Sequence, residues 1–211
     1  MPNHEKKNNS HVPLIERGVM PVILLTLICA ACVAILAVTA TMTAEAREKQ
    51  EKLIADENKR MLFPDADEFP EESVKEAGKL FPTGNPVDLT VDHPDVKELF
   101  VVKQGSTVVG AIVRAESKGY GGKLPVMVGF DLEGVIVGIV PDASNETAGL
   151  GQNVALAPFT DQFKGRDLSD PLDDLDMVSS ATISSKSVIN SVKSAAAAFN
   201  AFMPTEGGNT P

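Results

Sequence analysis

The sequence has no tryptophan, a single tyrosine, and fewer basic than acidic residues. It contains 19 Lys and Arg against 29 Asp and Glu. No long basic run occurs, so the clustered positive charge that neutralises nucleic-acid phosphates is missing. With so few aromatic rings, a platform that stacks bases on protein side chains is not expected either. We therefore expect no nucleic-acid partner.

Cysteine and histidine are also scarce, and their positions argue against a metal site. His4, His11 and His93 are scattered and have no cysteine nearby, whereas zinc sites need ligands at short, regular spacings. The only cysteines, Cys29 and Cys32, lie in an apolar segment, so the rest of the chain forms no disulfide. We interpret this C-x-x-C pair as small apolar residues of a membrane helix. A metal site shared with a partner's cysteines is the alternative.

One long uncharged segment, Gly18–Ala44, dominates the N-terminal part of the chain. A helix needs about 20 apolar residues to cross the ~30 Å hydrocarbon layer of a bilayer, whereas a cleaved secretory signal has an apolar core of only about 7–15 residues. The length therefore predicts an uncleaved, single-pass transmembrane helix over residues 18–44. The short tail at 1–17 is expected in the cytoplasm, which places the larger part of the chain outside the cytoplasmic membrane.

Beyond this segment, composition separates a helical stalk from a mixed domain. Residues 45–62 are rich in Glu, Lys, Gln and Ala, which favour helix, and Pro64 is expected to stop that helix, so the stalk is predicted over residues 45–64. Glu71–Leu80 is predicted as a second short helix. The domain is expected to extend over residues 65–203, followed by a flexible tail at 204–211.

The hydrophobic pattern of the domain then changes to that of strands. Four apolar, β-branched runs, joined in pairs by short glycine-containing turns, predict two hairpins at residues 99–104 with 107–115 and 125–130 with 135–140. Apolar residues at helical spacing predict an amphipathic helix over Ser187–Met203, and Phe159–Phe163 is predicted as a helical turn. The fold class is therefore α+β: an antiparallel sheet with flanking helices, plus one N-terminal transmembrane helix.

Three loops contain the residues that could bind a ligand. SSATISSK, residues 179–186, concentrates hydroxyl groups at the start of a predicted helix, where free backbone N–H groups accept anions, phosphate above all. Gly119–Gly122 and Glu146–Gly151 contain glycines that let the backbone approach a ligand closely. Each loop alone is also explained by helix capping or by a turn. Together they predict a pocket for a flat, polar, phosphorylated ligand.

SSATISSK is similar to the flavinylation motif of FMN-binding domains, in which Ser-Gly-Ala-Thr is followed by Ser or Thr residues. Gly119–Gly122, the strand PVMVGFD and Glu146–Gly151 match the same family in order and spacing. Over roughly residues 18–203 the chain resembles the G subunit of Rnf-type ion-translocating electron transport complexes. The related C subunit of the sodium-translocating NADH:quinone reductase shares the domain.

The resemblance implies a covalent FMN, held by a phosphoester to Thr182 and attached by a dedicated flavin transferase. It assigns the other cofactor contacts to Ser180, Ala181, Ile183, Ser184, Ser185, Lys186, Glu146, Thr147, Gly149, Leu150, Gly151, Tyr120 and Gly121. The sequence departs from the family where Ser180 replaces a usual glycine, Asn145 a common histidine and Ala148 a common proline. The cofactor would supply the redox chemistry and the protein its position and electrostatics.

The implied function is an electron relay within a membrane complex, so the chain is expected to be a redox subunit of a translocase rather than an enzyme alone. No G-x-G-x-x-G follows a predicted strand, which argues against NADH oxidation by this chain. Two alternatives stay open. One is a freestanding membrane-anchored extracytoplasmic flavoprotein reductase, for which little chain is left to build a substrate pocket. The other is a non-redox anchored binding module whose glycine loops are only turns.

An acidic cluster precedes SSATISSK and consists of Asp170, Asp173, Asp174 and Asp176. We interpret these carboxylates as a solvated loop. Weak calcium ligands are the alternative, although the spacing is not that of an EF-hand.

Overall fold

A computed structural model describes residues 19–80 and 86–203. The tails predicted at 1–17 and 204–211 lie outside the described residues. The chain divides between Leu53 and Ile54 into two compact units. The described part of the first unit is helical, and the second contains a sheet with its helices.

Helix α1 extends over Val19–Leu62. Its segment Met20–Ala44 has a mean hydropathy of 2.9 and is not buried by other residues, so it is long and apolar enough to cross a membrane. The helix ends two residues before Pro64, whose fixed φ and missing N–H make it a helix breaker. The helix predicted over residues 45–62 and its end before Pro64 are therefore confirmed.

The second unit is built on a five-stranded antiparallel sheet in which each strand pairs with its neighbours in sequence, in the order β1-β2-β3-β4-β5. The strands are β1 at Glu71–Glu72, β2 at Val96–Gln104, β3 at Thr107–Lys118, β4 at Lys123–Asp131 and β5 at Ile136–Pro141. Both predicted hairpins are present, as β2–β3 and β4–β5. The α+β class is confirmed.

One prediction in this region is wrong. Glu71–Leu80 forms no helix: it begins with β1, which pairs with Leu99 and Phe100 of β2, and continues through turns. Helix propensity is a weak prior that tertiary contacts override. Here the backbone of Glu71 and Glu72 is used to extend the sheet instead.

Both faces of the sheet are buried, which explains why β2 and β3 contain consecutive apolar residues instead of a clean alternation. One face packs under the C-terminal helix through side chains that include Leu99, Val101, Val113, Val128 and Phe130. The opposite face, with Phe100, Val102, Ile112 and Met127, packs against Leu62, Phe63, Ala66 and Phe69.

Two glycines make room for the chain that leaves α1. Gly129 and Gly138 lie opposite each other on β4 and β5. A Cβ atom on Gly129 would lie 3.0 Å from the Phe63 ring, and one on Gly138 would lie 3.2 Å from the Leu62 side chain. Leu62 and Phe63 can approach the sheet this closely only because Gly129 and Gly138 have no side chain. The two glycines therefore form a shallow depression that Leu62 and Phe63 occupy.

Among the described residues, the second unit also contains three α-helices and a 3₁₀ helix at Gly151–Ala155. Helix α2 spans Leu89–Asp92, helix α3 spans Ala157–Thr160 and continues as a 3₁₀ turn to Phe163, and helix α4 spans Thr182–Phe202. The helical turn predicted at Phe159–Phe163 is confirmed. The long helix predicted from Ser187 begins five residues earlier, at Thr182.

Helix α4 covers one face of the sheet through aromatic contacts. The Phe199 ring lies 4.8 Å from Phe130 on β4 and 5.3 Å from Phe202, both centroid to centroid. All three rings are buried. This packing fixes the axis of α4 on the sheet and therefore the position of its first turn.

Candidate functional site

The chain enters α4 through a tight turn at residues 178–181. Ser180 has φ +63°, a left-handed conformation that is unfavourable for a residue with a Cβ atom. Ala181 is the N-cap residue, and its side chain offers no capping hydrogen bond. The first N–H groups of α4 therefore lack the side-chain acceptor that usually satisfies one of them.

Ser185 holds this turn together. Its hydroxyl donates to the carbonyl of Ala181 over 3.0 Å and accepts from the N–H of Val178 over 3.1 Å. The side chain is fully buried. Ser185 therefore acts inside the turn, and its hydroxyl is engaged by the backbone.

Burial separates the hydroxyl groups of this stretch into two classes. Ser184, Ser185 and Ser187 are 2%, 0% and 1% exposed, respectively. Thr182 and Ser180 are exposed, and both line a cleft at the start of α4. Thr182 is thus the first residue of the helix and also the one whose hydroxyl a ligand can reach within α4's first turn.

Glu146 joins the start of α4 to the loop between β3 and β4. Its carboxylate is buried, although it belongs to a loop. One oxygen, Oε2, accepts a hydrogen bond from the Ser184 hydroxyl over 2.6 Å. The other, Oε1, accepts from the N–H of Gly121 over 3.1 Å. A single side chain therefore connects residues that lie 25 and 38 positions away in sequence.

Glycines surround this carboxylate because side chains would collide with it. A Cβ atom on Gly119 would overlap Oε1 of Glu146, and one on Gly151 would lie 2.8 Å from Oε2. On Gly121 it would overlap the carbonyl oxygen of Asn145. Gly119 and Gly151 therefore make room for the Glu146 carboxylate, and Gly121 makes room for the backbone of Asn145.

The cleft above this arrangement has a volume of about 460 Å³. It is lined by Tyr120, Thr147, Leu150, Gly151, Ser180, Ala181, Thr182, Ile183 and Ser184. The exposed side chains of Tyr120, Leu150 and Ile183, at 71%, 45% and 54%, give it an apolar rim next to the polar helix start. The three loops predicted from sequence thus meet at one place.

Five residues predicted at the site do not line the cleft. Gly121, Glu146, Gly149, Ser185 and Lys186 are absent from its walls. Glu146 and Gly121 lie behind it, joined by their hydrogen bond, and Lys186 is exposed on α4. Gly149 has φ +73°, so it serves the turn that carries Leu150. Direct cofactor contacts by these residues stay predictions.

Sequence reasoning missed Arg166, which organises the acidic loop before α4. Its guanidinium donates to Asp174 over 2.7 and 3.0 Å, to Asp170 over 3.0 Å, and to the carbonyl of Gln162. The hydrogen bond from Arg166 holds the pKa of Asp174 below its usual range, and the same bond raises the pKa of Arg166. The sequence signal that could have identified it is a single basic residue, Arg166, within the acidic stretch at residues 165–176.

The acidic cluster lies in a largely exposed loop, as predicted, and this loop is tied to the rest of the fold at several points. Asp173 pairs with Lys193 of α4 over 3.2 Å. The backbone of Asp176 exchanges two hydrogen bonds with the Gln162 side chain. Within residues 19–80 and 86–203, no three His, Cys, Asp or Glu side chains are grouped so that they could hold a metal ion.

Comparison with known proteins supports a flavin site. Residues 119–197 match the model of the FMN-binding domain family, and this range begins at the first glycine loop and ends within α4. All the residues that line the cleft fall within it. The match confirms the prediction that the cofactor is FMN, and it does not test how the cofactor is attached.

Curated relatives extend the similarity beyond that domain. The G subunit of the proton-translocating ferredoxin:NAD(+) oxidoreductase complex of Clostridium ljungdahlii is 27% identical over 81% of this chain and 85% of its own length. The G subunit of the Na(+)-translocating ferredoxin:NAD(+) oxidoreductase complex of Acetobacterium woodii is 28% identical over 71% and 74%, respectively. The predicted resemblance to such G subunits is therefore confirmed.

A solved structure is similar in part. The C subunit of the Na(+)-translocating NADH-quinone reductase of Parabacteroides distasonis is 19% identical and aligns with a TM-score of 0.48 over 66% of this chain and 78% of that chain.

Proposed function

We propose that this chain, with its FMN-binding domain at residues 119–197, is a membrane-anchored electron-transfer subunit that carries FMN covalently on Thr182. It relays electrons between other membrane subunits of an Rnf-type ion-translocating complex. The membrane anchor is the apolar segment of α1. We place residues 1–17 in the cytoplasm and the FMN domain on the opposite side of the membrane.

The observation that carries the proposal is the selection of one hydroxyl by burial. Of the hydroxyls in the first turns of α4, those of Ser184, Ser185 and Ser187 are buried, whereas Thr182 is exposed and lines the cleft. An attached phosphate at Thr182 would lie at the helix start, whose N–H groups and partial positive charge favour an anion. Ala181 leaves that start without a side-chain cap.

The cleft also fits the remainder of the cofactor. Its volume of about 460 Å³ lies within the range of about 300–1,000 Å³ typical of small-molecule sites. Tyr120, Leu150 and Ile183 offer apolar surface to a flat ring, and their exposure leaves an edge of that ring open to a redox partner. FMN supplies hydride or single-electron chemistry when bound, and the protein fixes its position.

Attachment needs an activated flavin and a transferase. Thr182 Oγ1 would attack the FMN phosphorus of a flavin dinucleotide, and the pyrophosphate bond to the second nucleotide would break. A nucleoside monophosphate leaves with the bonding electron pair, and the threonine proton passes to a base. The chain would then be heavier by the mass of FMN minus one water, and the flavin would be attached to Thr182 Oγ1 in the first turn of α4.

Intact mass measurement of the full chain from its native membranes tests the proposal, together with peptide mapping across residues 165–193. We expect an added mass of FMN minus water on Thr182, and none in Thr182→Ala. The matched control is Ser191→Ala, which removes a buried α4 hydroxyl that does not line the cleft and has no hydrogen-bond partner among the described residues, and it should remain labelled. Absence of the label with an active transferase would contradict covalent attachment. Electron flow through a complex that contains Thr182→Ala would contradict the relay role.

A further inference from the structure

Glu146 is a buried carboxylate whose part in the proposed function is still open. It is 5% exposed and does not line the cleft. Both of its oxygens are engaged by protein donors, from Ser184 in α4 and from Gly121 in the β3–β4 loop. With both oxygens directed inward, its carboxylate is not arranged to contact a ligand in the cleft.

The contacts of Glu146 connect the two walls of the cleft. Ser184 lies two residues after Thr182, on the wall formed by α4. Gly121 follows Tyr120, which belongs to the opposite wall. A change in the length or direction of this side chain would therefore alter the separation between Tyr120 and the helix start.

Other features show how closely the walls are held. The Ser184 hydroxyl and the Glu146 carboxylate are separated by 2.6 Å, a short distance for a hydrogen bond between oxygens. Gly119 and Gly151 lack side chains at the points where a Cβ atom would collide with the carboxylate. The fold thus accommodates one specific acid, at one length, between the two loops and the helix.

We propose that Glu146 is a positioning residue, which holds Ser184 and Gly121 so that Thr182 meets the flavin phosphate in the geometry needed for attachment. This inference rests on the proposed function, since it concerns the same cleft and the same threonine. Reaction rates are sensitive to such placement: a displacement of about 1 Å can slow a reaction by about 10²-fold. Removal of the Glu146 side chain should therefore slow attachment while Thr182 remains intact.

The test measures attachment to the purified full chain in detergent, using a flavin dinucleotide and a flavin transferase. The variants are Glu146→Ala, which removes both acceptors, and Glu146→Gln, which keeps an acceptor for Gly121 and can hydrogen-bond to Ser184 through its amide. We expect the kcat of the transferase, with this chain as its substrate, to fall by about 10²-fold for Glu146→Ala. Glu146→Gln should recover most of it, and every folded chain should be labelled at the end point.

Two control variants separate positioning from a loss of stability. Glu72→Gln changes another 5% exposed carboxylate, which lies on β1, at the opposite edge of the sheet from β5, and accepts a hydrogen bond from the N–H of Leu80. Ser191→Ala removes a buried hydroxyl of α4 that has no hydrogen-bond partner among the described residues. Both should keep the wild-type kcat. A purely structural role of Glu146 would lower the labelled fraction at the end point and leave kcat of the folded chains unchanged.

The outcomes distinguish this inference from the proposed function. Labelled wild type together with wild-type kcat in Glu146→Ala would overturn the positioning role alone. An equal fall in kcat for Glu72→Gln would overturn it too, because the effect would then not depend on the cleft. Unlabelled wild type would overturn the proposed function and, with it, the inference.

Discussion

Replacement of Ser180 by glycine should stabilise the second unit of the chain. Ser180 has φ +63°, in the left-handed region, where a Cβ atom meets the following carbonyl oxygen. This conformation costs a non-glycine residue about 1–2 kcal/mol. Glycine avoids that cost but adds about 0.5–1 kcal/mol of chain entropy to the unfolded state. At the midpoints of these two ranges, about 1.5 against about 0.75 kcal/mol, the net gain expected for Ser180→Gly is about 0.5–1 kcal/mol.

The assay is thermal unfolding of the full chain in detergent, followed by circular dichroism at matched flavin content. A gain of this size should raise Tm by about 1–4 °C, because a domain of this length shifts by about 2–4 °C per kcal/mol. Ser180→Ala keeps the Cβ atom and removes only the hydroxyl, so its Tm should stay close to that of the wild type.

The neighbouring Ser179 provides a matched control. It is exposed like Ser180, but its φ is not positive. Ser179→Gly relieves no strain and adds the same chain entropy, so it should lower the unfolding free energy by about 0.5–1 kcal/mol. Equal shifts in Tm for the two glycine variants, or a loss in Ser180→Gly, would refute the argument from backbone strain.

Three further predictions concern the scaffold around the cleft. Phe199→Ala removes a fully buried ring and should lower the unfolding free energy by about 3–5 kcal/mol in denaturant titration; a loss below about 1 kcal/mol would contradict the packing described. Gly129→Ala should cost about 1–3 kcal/mol, because its methyl group would press on the Phe63 ring, and an unchanged Tm would show that the ring moves aside freely. The hydrogen bond from Arg166 lowers the pKa of Asp174 in the folded protein. This ion pair therefore stabilises the fold at pH values above the ordinary carboxyl pKa of about 3.9, and the stabilisation is lost as the pH falls through the lowered pKa. Asp174→Asn should therefore flatten the acid side of the Tm–pH curve, and a curve identical to the wild type would contradict the contribution.

The sheet could be predicted from the sequence because its signals are local. β2 with β3, and β4 with β5, are neighbours in the chain, so apolar, β-branched runs and the turn residues between them identify each pair without knowledge of the rest. β1 could not be identified in this way. Its two residues form a strand only because they meet β2, and their composition favours a helix.

The candidate site shows the same division between local and distant contacts. Thr182 could be proposed from SSATISSK, since the motif is continuous in sequence. The sorting of its hydroxyls depends on how α4 packs, and the link from Glu146 to Gly121 and Ser184 spans distant residues. No periodic pattern records such a link, so sequence could place Glu146 near the site without revealing that its carboxylate faces inward.

The sequential order of the strands has a consequence for biogenesis. Each strand can join the sheet as soon as its neighbour is present, and this local pairing favours rapid folding. The cleft forms late in folding, because Tyr120 and Thr182 line it together only after α4 has docked on β3 and β4. On the proposed attachment chemistry, flavin colour would therefore count only molecules whose folding is complete. The attached flavin would therefore distinguish fully folded chains from chains in which α4 has not yet docked.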